Sequence, residues 1–101
     1  VARQHGRGKM DARARLAAFV GAATDDLAWV PNATTGVNIV ARSLALAPGD
    51  EILTTDQEYG ACDATWAAAC RASGAVLRRV AVPLPFEPEA FVPRLMAAVT
   101  P

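Results

Sequence analysis

The sequence predicts an α/β fold with helices layered on a mostly parallel sheet. Two observations carry this. Apolar stripes of helical period alternate along the chain with short apolar runs of strand length, and Gly, Pro and Asp clusters mark nearly every change between them. Composition agrees: 101 residues, 52% hydrophobic and 20% charged, describe a globular chain with room for one domain.

Residues 1–9 mix basic residues with glycine and offer no apolar stripe, so they read as a polar tail. No apolar stretch follows to make a signal peptide. From Met10 a helical stripe begins, with Leu16, Phe19, Val20 and Ala23 spaced i, i+3, i+4, i+7. Gly21 and Thr24-Asp25-Asp26 end it. Leu27 to Val30 reads as a short strand stopped by Pro31. The small-residue turn Asn32-Ala33-Thr34-Thr35-Gly36 then leads into a second helix through Val37, Val40, Ala41 and Leu44.

Pro48-Gly49-Asp50 has turn chemistry, and Glu51 to Thr55 reads as a strand followed by a loop over Asp56 to Gly60. Ala61 to Ser73 is an Ala-rich helix closed by Gly74. Ala75 to Val82 reads as a strand, broken by Pro83-Leu84-Pro85. Phe91, Val92, Leu95, Met96 and Val99 form the last helical stripe, whose start Pro93 should delay or kink.

Composition also excludes function classes. Ten basic and ten acidic residues cancel, which removes the electrostatic case for nucleic acid or an anionic membrane as a general partner. No apolar run approaches the ~20 residues of a membrane span. Cys62 and Cys70, placed on one helix, would lie about 12 Å apart, beyond disulfide reach. They read as buried free thiols of a cytoplasmic protein. His5, the single histidine, has no local partner for a metal site or a triad.

In parallel sheets, ligands gather at the C-terminal ends of strands. Two loops occupy that position. In Asn32 to Gly36, small residues, two hydroxyls and a helix N-terminus suit a phosphate monoester, and plain helix capping accounts for the same residues. The loop matches neither G-x-x-x-x-G-K-[ST] nor G-x-G-x-x-G. In Asp56 to Gly60, Tyr59 could stack on a planar ligand or pack beneath its own loop. Asp63 and Trp66 share a helix face, while Arg78 and Arg79 point to opposite faces of a strand, where solvated or interface roles suffice.

The run Leu27 to Asn38 resembles the phosphate-cup segment of class V aminotransferase-like enzymes dependent on pyridoxal 5′-phosphate (PLP). Leu46 to Ala61, with its Pro-Gly-Asp turn, continues the pattern in order and spacing. Within the family the chain is most similar to the isopenicillin N epimerase-like branch. The resemblance implies a partial three-layer sheet of the type I PLP-dependent transferase large domain over residues 10–101. It also implies cofactor binding by Thr34, Thr35 and Tyr59.

Cysteine desulfurases carry histidine where Tyr59 stands, which counts against that branch, and Gln57 replaces a frequent histidine. The family's Schiff-base lysine and its pyridine-pairing aspartate lie far downstream of these loops. The single lysine, Lys9, matches no catalytic motif. The chain therefore reads as an inert front section of an enzyme acting at Cα of an amino acid, by epimerisation, C–S lysis or transamination. A homodimer is expected for the complete enzyme. The alternative is a non-catalytic α/β domain that binds a phosphorylated small molecule or is a remnant.

Overall fold

In the computed structural model, residues 2–101 are described, with side chains from residue 6 onward, so Val1 and the expectation for the His5 side chain lie outside it. The chain divides into two units, residues 1–31 and 32–101.

The first unit is built on helix α1, Ala2–Val20. The polar tail expected over residues 1–9 is therefore corrected from Ala2 onward: the helix begins eight residues before the apolar stripe. Stripe periodicity marks where a helix buries a face, not where its backbone hydrogen bonding begins. Gly21, at φ +73°, closes α1, and its neighbour's amide, Ala22 N–H, reaches Ala17 O at 2.9 Å. A 3-10 turn follows at Thr24–Asp26.

The strand expected at Leu27 to Val30 does not form. Leu27 has extended dihedrals, but among the described residues no strand lies beside this segment to complete a ladder. Ala17 is the buried centre of this unit, at 1% exposure.

The second unit is a βαβ arrangement with flanking helices: α2 (Ala33–Ser43), β1 (Glu51–Thr55), α3 (Gly60–Ser73), β2 (Val76–Val80) and α4 (Pro88–Ala97). Strands β1 and β2 pair in parallel, from Glu51 opposite Val76 to Thr55 opposite Val80. The α/β class with a parallel sheet is thus what the sequence predicted. β2 is shorter at both ends than the expected Ala75 to Val82.

Turn chemistry sets the entry to the sheet. Asp50 N–H bonds Ala47 O at 3.1 Å across Pro48-Gly49, and Gly49 at φ +90° makes this a type II geometry. Gly74 ends α3 in the left-handed region at φ +80°, donating its N–H to Cys70 O at 2.9 Å. A Cβ there would sit 3.3 Å from Pro48 Cβ and Cγ, so the α3 terminus and this turn pack only because the residue is glycine.

Helices α2 and α3 pack against one another. Ala41, Cys62 and Cys70 are buried, and these small side chains let the two backbones approach. A groove of about 530 Å³ between them is lined by Asn38, Ala41 and Ala45 from one side and Thr65, Ala69 and Ala72 from the other. Both cysteines are free and buried.

Helix α4 starts at Pro88 in spite of Pro93 in its interior, which corrects the delayed start expected. Pro88 suits the first turn, where its missing N–H is not needed. Arg78 ties the far end of α4 to the sheet, donating to Ala98 O at 2.9 Å and Glu51 Oε2 at 3.2 Å. Thr100 completes the knot on the same Glu51 oxygen.

Candidate cofactor site

The Asn32 to Gly36 turn is absorbed into the first turn of α2. Asn32 is its N-cap, in extended conformation, and its Oδ1 accepts the Thr35 N–H at 2.8 Å. Gly36 N–H reaches Asn32 O at 3.2 Å. Capping, one of the two readings open for these residues, is therefore realised, by asparagine. It does not consume the site. The first four N–H groups of a helix lack intrahelical acceptors, and the Asn32 side chain satisfies one of them, Thr35 N–H; the Gly36 bond is the first within the helix. The N–H groups of Ala33 and Thr34 remain at the positive end of the α2 dipole, beside the hydroxyls of Thr34 and Thr35.

The second loop follows β1. Asp56 prolongs the ladder, its N–H donating to Val80 O at 3.0 Å, and its Oδ1 accepts the Val82 N–H at 2.9 Å. Glu58 Oε1 accepts the Tyr59 N–H at 3.0 Å, and the buried Thr54 hydroxyl makes a long 3.5 Å contact to the other oxygen. Tyr59 stands just before α3 and is 69% exposed. Packing beneath its own loop is thereby excluded.

Topology places the second loop at the ligand-binding end of the sheet. β1 delivers the chain to the N-terminus of α3 at its own C-terminal end, so Tyr59 stands where parallel α/β folds bind ligands. Helix α2, which opens at Asn32 with Thr34 and Thr35 in its first turn, packs against α3.

Asp63, in the first turn of α3, is held by Arg79 of β2: Nε to Oδ1 at 2.9 Å and Nη2 to Oδ2 at 2.8 Å. The guanidinium's hydrogen bonds keep the Asp63 carboxyl below its usual range and raise Arg79 above its own. Sequence alternation separated Arg78 from Arg79 correctly but left both without partners. Nothing in local spacing pairs residues 16 apart, so only the βαβ connection reveals this fork. Among the described residues no group of three His, Cys, Asp or Glu side chains forms a metal site. No described helix is long and apolar enough to cross a membrane.

The family model for aminotransferase class V matches residues 2–85. The chain is 43% identical over 75 residues to isopenicillin N epimerase of Amycolatopsis lactamdurans, covering 72% of this chain and 19% of that protein. To a cysteine desulfurase of Haloferax volcanii it is 32% identical over 77 residues, covering 71% and 18%. The chain thus spans about a fifth of the length of these curated relatives.

Among solved structures, a mutant of C-DES with glycine covalently linked to its PLP cofactor superposes with a TM-score of 0.79 at 26% identity. That match covers all of this chain and 27% of the other. A complex of the cystine C–S lyase C-DES with cysteine persulfide gives 0.65 at 30% identity, covering 81% and 22%. A helix N-terminus opened by Asn-Ala-Thr-Thr-Gly, a parallel βαβ unit and the family match over most of the chain converge: the chain belongs to the aminotransferase class V family.

Proposed function

We propose that these residues form the cofactor-holding part of a PLP-dependent enzyme acting at Cα of an amino acid, by epimerisation, C–S lysis or transamination. What supports this is the Asn32-capped opening of α2 at Thr34 and Thr35, together with an exposed Tyr59 at the C-terminal end of the parallel strand β1. The residues fit two parts of the cofactor. The amides of Ala33 and Thr34 and the two threonine hydroxyls suit a phosphate dianion at the α2 N-terminus. The exposed ring of Tyr59 suits the face of a pyridine. When bound, PLP supplies an electron sink for charge developing at Cα.

The chain's own residues bind and orient; they do not complete the chemistry. Lys9 is the single lysine and belongs to α1, in the other unit. The lysine that would hold the cofactor and the aspartate that would pair with its ring nitrogen are assigned to sequence outside residues 1–101. The short span of the match to the relatives supports this. The whole enzyme works as a cytoplasmic homodimer in this reading. By itself the chain is inert toward amino acids.

Pyridoxine 5′-phosphate tests the site, since it has ring and phosphate but no aldehyde to react with Lys9. Replacing Thr34 and Thr35 together by Ala removes two hydroxyl donors to a charged group, each worth about 1.5–3 kcal/mol. Affinity should fall at least about tenfold in a ³¹P NMR titration. Equal affinity in the double variant would remove the phosphate site.

A further inference from the structure

Tyr59 has an exposed side chain with no aromatic neighbour and no hydroxyl hydrogen bond among the described residues. Its direction is therefore set through its backbone. The loop on which it sits is tied at both ends to the same strand. Before Tyr59, Asp56 takes the Val82 N–H at 2.9 Å and gives its own N–H to Val80 O at 3.0 Å. After Tyr59, Asp63 takes both donors of the Arg79 fork at 2.9 and 2.8 Å. All of these anchors lie on β2 or within two residues of its end.

We propose that Asp63 and Arg79 are positioning residues for Tyr59: their planar fork, together with Asp56 on Val82, bolts the Tyr59 loop to β2 as a preformed platform for a planar ligand. This deepens the cofactor reading and rests on it. The pair is suited to the task because a bidentate guanidinium–carboxylate contact fixes orientation as well as distance. Residues Asp63 and Arg79 lie 16 apart in sequence but on adjacent elements. Fixing the loop in advance removes an ordering cost from binding.

The test titrates pyridoxine 5′-phosphate, and separately inorganic phosphate, into the full chain and into Arg79→Gln, Arg79→Lys, Asp63→Asn and Tyr59→Ala. Arg79→Gln and Asp63→Asn should weaken the pyridoxine ester about threefold to tenfold, the range expected for one ordering cost of this size. Inorganic phosphate, which meets only the α2 terminus, should bind unchanged. Arg79→Lys should fall between, keeping the charge without the fork.

Equal loss of both ligands would show that the pair only holds the fold, and overturns the proposal. So does full affinity for the ester in Arg79→Gln while Tyr59→Ala loses it. If Tyr59→Ala binds the ester like the parent, the cofactor reading of Tyr59 fails instead. Amide exchange at residues 57–60 then decides the positioning claim: several-fold faster exchange in Arg79→Gln upholds it, and unchanged exchange overturns it.

Discussion

Asn32 shows how one residue serves two purposes. Its side chain closes the α2 N-terminus onto Thr35 N–H and leaves the amides of Ala33 and Thr34 at the positive end of the helix dipole. Asn32→Ala should cost about 1 kcal/mol in a urea melt, within the 0.5–2 range for lost caps, and Asn32→Ser far less. Gly74 is equally constrained. With φ at +80° and Pro48 3.3 Å from any added Cβ, Gly74→Ala should destabilise by about 1–2 kcal/mol in the same assay.

Asp63 carries the pH prediction. Its carboxyl is held below its ordinary 3.8 by the Arg79 hydrogen bonds. A depressed carboxylate contributes stability that is fully present above the unfolded value and is lost as pH falls through the folded one. The deficit of Asp63→Asn relative to the parent should therefore be constant near neutrality and shrink below about pH 3.8 in acid-titrated melts. The cap and the C-terminal glycine were legible from residue type alone, because each acts within four residues. The Asp63–Arg79 fork was not, because its partners meet only once β2 returns beside α3.

Elements differ in how well local pattern foretells them. Glu51–Thr55 is a strand as expected because Ile52, Leu53, Thr54 and Thr55 suit a pleated surface, a turn precedes it, and β2 lies alongside. Leu27 to Val30 has comparable apolar character and fails as a strand for want of a neighbour. Helix α4 tolerates Pro93 because Arg78 and its own ends hold it. Restoring the missing amide with Pro93→Ala should raise the stability of α4 by up to about 3 kcal/mol, seen as added helicity and a higher Tm by circular dichroism.

At the scale of the molecule, the chain exposes 7647 Å², whereas a folded monomer of 10.5 kDa exposes about 5,400 Å². The buried hydrophobic residues among those described are two alanines and two cysteines, and no large side chain is fully buried. Phe19 at 87%, Leu84 at 77% and Met96 at 60% exposure face outward. A surface of this kind seeks further protein. The isolated chain should bind 8-anilinonaphthalene-1-sulfonate strongly and associate with rising concentration in sedimentation. Weak dye binding with a concentration-independent monomer would contradict this.

What the sequence by itself determined is the local grammar: alternating helix and strand, the Pro-Gly-Asp turn, the glycine stop of α3, and the small-residue opening of α2. Each depends on steric and hydrogen-bonding preferences expressed over a few residues. Tertiary structure alone decided which extended run became a strand, that Tyr59 faces outward, and that Arg79 grips Asp63. Those outcomes depend on which elements lie side by side, and chain connectivity in space sets that.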